Sequence, residues 1–160
     1  MILESHCWKQ DLLRQAGALR RFEVRRRWTQ AASLKLEQIV LLGFYTIWKL
    51  IESNRLSPRV VHRPIELESF RPRPASQVQR PPRSIDDRYA LDEMRPSTHD
   101  LLFVCHQMVH NHVFAPQLDD EHSLAGFYLT SAHQRKIGLY RIPLEDCIAL
   151  FEEVAVDESV

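Results

Sequence analysis

The segment of residues 38–51 constrains the fold of this chain more than any other part of the sequence. Its apolar residues are spread nearly all the way round a helix, with Gly43 in the middle. A helix that is apolar on every side is normally central to a bundle or covered by a partner subunit. Thr29 is a favourable N-cap for this helix, which we expect to reach about Ser53. Gly43 allows close approach of a neighbouring helix, at a cost of about 1 kcal/mol relative to alanine.

A second helical pattern covers residues 2–27, where apolar residues recur at spacings of three and four. The resulting apolar stripe consists of Trp8, Leu12, Ala16, Leu19 and Phe22. An arginine cluster follows at the C-terminal end of this pattern, made of Arg20, Arg21, Arg25, Arg26 and Arg27. Cations at that end of a helix are favoured by its dipole, by about 0.3–1 kcal/mol each. The same cluster is equally suited to RNA phosphates, and both interpretations stay open.

Residues 101–114, with the sequence LLFVCHQMVHNHVF, form an apolar segment that carries three of the eight histidines of the chain. We expect this segment to form a helix that is capped by Ser97 or Thr98, because hydroxyl side chains accept the free N–H groups of a first turn. Asp100 would lie in that first turn, and Pro116 would end the helix because proline lacks a backbone donor.

The middle of the chain has a different character. Seven of the nine prolines lie between Pro58 and Pro96, among many arginines. Proline fixes φ and removes a donor, so we expect an irregular Pro/Arg-rich segment at about 54–95. Within it, residues 60–61 or 65–67 could pair as a short strand.

After residue 124 the hydrophobic period changes to two, which is typical of strands. Residues 125–130 and 136–142 predict a β-hairpin, and residues 144–151 predict a short final helix that begins after Pro143. We therefore predict an α+β fold that is mainly α: a helical bundle of two long N-terminal helices and a histidine-bearing helix, plus the C-terminal hairpin and the short helix. We expect residues 1–160 to form a single domain.

Charge is unevenly distributed along the chain. Residues 1–95 hold 18 Lys+Arg against 11 Asp+Glu, whereas residues 96–160 hold 3 against 10. The two parts of the chain could form oppositely charged faces that attract one another, or the basic first part could form a surface that binds nucleic acid.

The three cysteines lack CxxC spacing, which argues against a zinc ribbon or a disulfide framework. We find no signal peptide and no apolar run of about 20 residues that could span a membrane, and expect a cytoplasmic protein.

His106 and His110 are the strongest candidates for chemistry, because residues four apart share one face of a helix and imidazole changes charge near neutral pH. Their spacing is that of an HxxxH zinc site, for which His112, His99, Asp100 or His122 could supply a third ligand. The glutamate of HExxH is replaced by Gln107, however, and we expect no bound metal or cofactor. Cys105 is adjacent to His106, but neighbouring helical positions face about 100° apart and cannot form a nucleophile–base pair.

Two stretches, GFYTIWKLIES and CHQMVHNHVF, make the chain resemble the HEPN superfamily (higher eukaryotes and prokaryotes nucleotide-binding). The resemblance implies a small helical bundle, a homodimer, and a role in bacterial defence or toxin systems. It also implies RNA chemistry by an RNxxxH motif, in which His110 would be the main catalytic group. His106 would fall on the polar position and Cys105 on the arginine position, so His106 and either Arg88 or Arg95 would have to assist. The arginine cluster would bind RNA through its phosphates.

Because cysteine cannot supply the charged fork that stabilises a transferring phosphate, the motif is degenerate. We expect a HEPN-like protein that binds RNA or a protein partner without catalysis. One alternative is an active, metal-independent endoribonuclease that uses His110, and another is an immunity or adaptor protein with no nucleic-acid chemistry. A ribonuclease predicts His106 and His110 in an open cleft beside basic residues, whereas an interaction protein predicts both packed, with an apolar or acidic patch exposed elsewhere.

Overall fold

The computed structural model describes residues 4–78 and 84–158. Six α-helices are present in these residues: α1 (Ser5–Glu23), α2 (Gln30–Glu52), α3 (Pro58–Val61), α4 (Ile85–Arg88), α5 (Leu101–Val109) and α6 (Leu144–Ala155). The strands are β1 (Ile65–Phe70), β2 (Arg95–His99), β3 (Asn111–Leu118), β4 (Leu124–Ser131) and β5 (Leu139–Pro143). None of the helices in this described part is long and apolar enough to cross a membrane.

All five strands form one sheet in the order β2-β1-β5-β4-β3, and every neighbouring pair is antiparallel. The predicted helical bundle with a small C-terminal hairpin is therefore wrong. The hairpin of β4 and β5 is confirmed, but it forms the centre of the sheet rather than an appendage. The protein is α+β, with helices packed against a full antiparallel layer.

Side chains alternate between the two faces of the sheet, as the period of a strand requires. Phe127, Leu129 and Ile142 face the main core, where they meet buried residues of α1, α2, α5 and α6. Tyr128 and Leu139 belong instead to a smaller cluster on the opposite face, built around Phe70 and Tyr89. The second face is thus covered by the chain segment that includes α4.

Much of the segment predicted to be irregular is ordered. Residues 65–67 do form a strand as part of β1, whereas residues 60–61 belong to α3. β1 pairs with β2, 26 residues away at the Ser69–Arg95 pair, and on its other side with β5. The pairing of β1 with these strands depends on tertiary contacts, and the proline content of the surrounding segment does not predict such contacts. The residues 79–83 of this segment lie outside the described chain.

The histidine helix is shorter than predicted. Asp100 caps α5, because its Oδ1 accepts a hydrogen bond from Phe103 N at 2.8 Å, while Ser97 and Thr98 lie in β2. The helix ends at Val109, where Asn111 Nδ2 donates to the Met108 carbonyl at 3.0 Å. Residues 111–118 continue as the edge strand β3, and Pro116 is tolerated there because an edge strand has one unpaired side.

Three other predicted helices are confirmed. Thr29 Oγ1 accepts from Ala32 N at 3.1 Å and caps α2, as predicted. α1 runs from Ser5 to Glu23, so it ends before the predicted residues 24–27, and the predicted residues 2–3 lie outside the described chain. Gly43 faces α6, where the ring of Phe151 occupies the space that a β-carbon would need. Gly43 thus makes room for a side chain of a neighbouring helix, rather than for the close backbone approach that was predicted.

The two ends of the described chain meet beside α3. Lys9 Nζ donates to the Asp157 carbonyl oxygen at 2.5 Å. The carboxylate of Asp157, which is buried, accepts from Ser57 N at 2.7 Å and from Ser57 Oγ at 2.6 Å. A buried carboxylate requires such donors, so these bonds fix α1, the start of α3 and the segment after α6 together.

Candidate functional site

His106 and His110 lie in one open cleft, which we call the histidine cleft. Its volume is about 410 Å³. The lining residues are Phe103, His106, Gln107, His110, Ser131, Ala132, His133 and Gln134. Both predicted histidines are exposed, and His133 joins them from the β4–β5 turn.

The two histidines are held at a defined separation by α5 and α2. His106 lies in the last turn of α5 and His110 caps its C-terminus, so their ring centroids are 6.1 Å apart. Trp48 of α2 packs against both, with centroid distances of 5.8 Å to His106 and 6.0 Å to His110. Two imidazoles at this separation can contact neighbouring atoms of one ligand, and each can donate or accept a proton.

The opposite wall of the histidine cleft is the turn that joins β4 to β5. Ser131 anchors this turn, because its Oγ accepts from Gln134 N at 3.1 Å and its carbonyl accepts from Arg135 N at 2.9 Å. Gln107 of α5 in turn holds Ser131, through a buried hydrogen bond from Ser131 N to Gln107 Oε1. The turn is therefore fixed to the helix that carries the histidines.

A second cleft, which we call the basic cleft, lies on the other side of the same turn and has a volume of about 580 Å³. Its lining residues are Pro72, Val78, Arg88, Tyr89, His112, Arg135 and Lys136. Four basic side chains from three separate segments thus surround one space, and no carboxylate is among the described residues that line it. A smaller hollow of about 290 Å³ continues from it past Arg88 and His112.

Tyr89 organises the floor of the basic cleft. Its hydroxyl donates to the Arg135 carbonyl at 2.8 Å and thereby positions the end of the turn. Burial raises the pKa of Tyr89, against the opposite effect of Arg88 and Arg135, so the hydroxyl remains a donor at neutral pH. The Arg135 guanidinium also lies 3.4 Å from His112 Nε2. This places two anion-binding groups of different elements side by side.

The other residues predicted for a site lie elsewhere. Arg95 begins β2, which is the opposite edge of the sheet from β3. At about 4.8 Å between strands, the four steps across the sheet put it about 19 Å from the β3 edge. Arg88 lines the basic cleft together with His112, and Arg95 is not among the described residues that line either cleft.

The arginine cluster at the end of α1 is exposed but partly engaged. Arg20 forms an ion pair with Glu152 of α6, and Arg25 Nε donates to the Arg27 carbonyl at 2.8 Å. Arg21 and Arg25 line a third hollow, of about 250 Å³, together with Lys35 of α2.

The structure gives little support to cysteine catalysis or to a metal site at His106 and His110. Cys105 and Cys147 are buried, and this burial raises the pKa of each thiol far above its usual range, so neither is a nucleophile. Within residues 4–78 and 84–158, three potential metal ligands come within 4.8 Å of one another at Glu4, His6 and Cys7, away from the histidine cleft. Asp100 caps α5, and His99 bonds Ser97 Oγ at 2.5 Å.

The sequence contained a signal for the basic cleft that motif reasoning missed. Residues 96–160 hold 3 Lys+Arg against 10 Asp+Glu. Two of these three cations, Arg135 and Lys136, are adjacent in the β4–β5 turn. A basic pair isolated in an acidic half of a chain is a reason to ask which other cations the fold brings to it.

Searches found no family model, no curated protein and no solved structure that matches this chain. The HEPN resemblance stays a prediction, as do the defence role and the homodimer that it implies.

Proposed function

We propose that this protein binds RNA along the surface formed by the basic cleft and the histidine cleft. The observation that carries the proposal is the convergence of Arg88, His112, Arg135 and Lys136 on one cleft, whose lining in the described part of the chain contains no carboxylate. Phosphate contacts dominate the affinity of proteins for nucleic acids. The guanidinium group of arginine can donate two parallel hydrogen bonds to a pair of phosphate oxygens.

The cations of this cleft are available for a ligand. The side chains of Arg88 and Lys136 are exposed and form no ion pair within the described residues. Most other arginines near the sheet are engaged: Arg71 pairs with Glu93, and Arg141 pairs with Glu68. A cation without a partner keeps its full electrostatic attraction for an anion. The basic cleft is thus distinguished by its free charge as well as by its shape.

RNA is favoured over other polyanions by the neighbouring histidines. His106, His110 and His133 lie across the turn from the cations, where they can donate to or accept from a ribose hydroxyl. The 2′-hydroxyl is the group by which proteins distinguish RNA from DNA. A strand that places a phosphate in the basic cleft and passes the turn can present a ribose to these imidazoles.

The test is a fluorescence-anisotropy titration of the full chain with a labelled 12-nucleotide RNA at several salt concentrations. We expect the double variant Arg88→Gln/Arg135→Gln to bind at least tenfold more weakly and to lower the slope of log K against log salt by about 1.4, since each phosphate contact with a single strand contributes about 0.7. The matched control is Arg71→Gln, which removes an exposed, paired arginine. Absence of RNA binding by the natural chain, or equal binding by the double variant and the control, would overturn the proposal.

A second candidate function is metal-independent cleavage of the bound RNA. It is favoured by the exposure of His106 and His110 with ring centroids 6.1 Å apart. One imidazole would take the proton of the 2′-hydroxyl, whose oxygen attacks phosphorus and forms a 2′,3′-cyclic phosphate. The other would protonate the departing 5′-oxygen. Cleavage in EDTA that is lost in His110→Ala, with RNA binding retained, would support this candidate. Absence of cleavage by the folded natural chain would exclude it.

A further inference from the structure

We infer that the histidine cleft receives one unstacked nucleobase, so that the RNA bound by this protein is single-stranded. The inference rests on the proposed function and concerns a different part of the same surface. The evidence for a bound base is the set of rings and amide groups in the histidine cleft, whereas the evidence for RNA binding is the set of cations in the basic cleft.

The walls of the histidine cleft are rich in planar rings. Phe103, His106, His110 and His133 line it, and Trp48 supports His106 and His110 from behind through edge contacts. Bases stack on aromatic side chains and on imidazoles, whatever their identity, because every base has a π-face. A volume of about 410 Å³ lies at the lower end of the range of small-ligand pockets, about 300–1,000 Å³. It therefore suits one base rather than a stack of bases.

Two amides give the cleft polar groups that suit the edge of a base. Gln107 uses its oxygen to accept from Ser131 N, and Gln134 uses its oxygen to accept from Tyr140 Oη at 3.4 Å. With both oxygens engaged, each side chain is oriented so that its NH₂ group is the part left for a ligand. Amide donors beside aromatic rings are the usual means of binding a base edge. An apolar protein side chain would leave these donors without partners.

The strand must be single because a base in a duplex is already paired and stacked. Moving it into the histidine cleft would require its extrusion, which costs a few kcal/mol. No such cost arises for an unpaired base. The β4–β5 turn separates the two clefts, so the base enters the histidine cleft while a phosphate of the same strand occupies the basic cleft.

The test uses a 12-nucleotide RNA with one 2-aminopurine at its centre, as a single strand and as the duplex with its complement. 2-Aminopurine fluorescence reports stacking of that base. For the natural chain we expect binding of the single strand at least tenfold tighter than of the duplex, with a change in 2-aminopurine fluorescence. The variant His106→Leu/His133→Leu changes two exposed side chains and should lose about tenfold in affinity and the fluorescence change, while its salt slope stays that of the natural chain.

The matched control is His62→Leu, which makes the same change at an exposed histidine that does not line the histidine cleft. We expect it to keep both the single-strand preference and the fluorescence change. Salt-dependent RNA binding without any fluorescence change, or equal affinity for single strand and duplex, would overturn this inference while the proposed function stands. Absence of all RNA binding would overturn both.

Discussion

The side-chain oxygen of Gln107 lies 3.0 Å from the backbone nitrogen of Ser131 and accepts its hydrogen bond. Both residues are buried, and they join the middle of α5 to the last residue of β4. Gln107 is thus a positioning residue. It comes directly after His106 in the chain, and it holds the turn that presents His133, Arg135 and Lys136.

Replacement of Gln107 by alanine should destabilise the protein and weaken RNA binding together. Ser131 N would remain buried without an acceptor, which costs about 1–3 kcal/mol. The measurement is urea denaturation, followed by the anisotropy titration at a temperature where the variant is folded. A free energy of unfolding within about 0.5 kcal/mol of the natural chain would show that the bond does not hold the turn.

The two helical glycines Gly43 and Gly17 should respond in opposite directions to alanine. A β-carbon at Gly43 would overlap the ring of Phe151, whereas a β-carbon at Gly17 would meet open space. We expect Gly43→Ala to lower the free energy of unfolding by about 1–3 kcal/mol through overpacking. Gly17→Ala should raise it by about 0.5–1 kcal/mol, because alanine restricts the unfolded chain and favours helix. Chemical denaturation of both variants checks the pair, and a change of the same sign in both would refute the packing assignment.

Stability should fall as the pH is lowered below the ordinary pKa of histidine, about 6.5, and part of this fall should come from His99. Burial lowers the pKa of His99, against the opposite effect of Asp100. Its ring is stacked on Phe103 with centroids 3.8 Å apart and meets the edge of Tyr140. A lowered pKa means that the folded state binds fewer protons than the unfolded state. The contribution of His99 is therefore fully present above that ordinary pKa and is lost as the pH falls through the folded-state pKa.

The variant His99→Phe keeps a ring in the stack and removes the titrating group. Thermal or urea denaturation between pH 5 and pH 8, about the range in which histidines titrate, should show a shallower pH dependence for this variant than for the natural chain. Identical pH dependence in the two proteins would mean that His99 is not responsible.

Thiol chemistry should distinguish one cysteine from the other two. Cys7 is exposed, whereas Cys105 and Cys147 are buried with a raised pKa. Desolvation and the nearby Glu4 also raise the pKa of Cys7, so its reaction with iodoacetamide should be slow at pH 7 and accelerate at higher pH. Mass spectrometry of the folded protein should find one labelled cysteine, and the unfolded protein should be labelled at all 3. Labelling of Cys105 in the folded state would contradict the packing of α5.

Local patterns in the sequence predicted the elements whose formation is itself local. The helical periods of α1 and α2, the Thr29 cap and the alternation in β4 and β5 all act over a few residues, and each is present in the structure. The boundary between α5 and β3 could not be found in this way. Residues 101–114 contain no proline or glycine that would mark a boundary, and the division of this segment depends on the Asn111–Met108 bond and on pairing with β4.

The extent of the sheet and the basic cleft were beyond local reasoning for a different physical reason. β1 is a six-residue strand among prolines, and its partners lie far away in the chain. Arg88, His112 and Arg135 are likewise separated by more than 20 residues each. Groups of this kind are assembled only by the topology, so one sequence read along its length gives them no common motif.

The β4–β5 turn forms a wall of both clefts, and this makes their occupancies thermodynamically linked. Any ligand that shifts the turn from one side changes the free energy of binding on the other, and such coupling is reciprocal. The effects of His133→Leu and Arg135→Gln on RNA affinity should therefore be non-additive in a double-mutant cycle, although each side chain faces a different cleft. The five residues between Ser131 and Ile137 would then behave as one cooperative unit rather than as two independent sets of contacts.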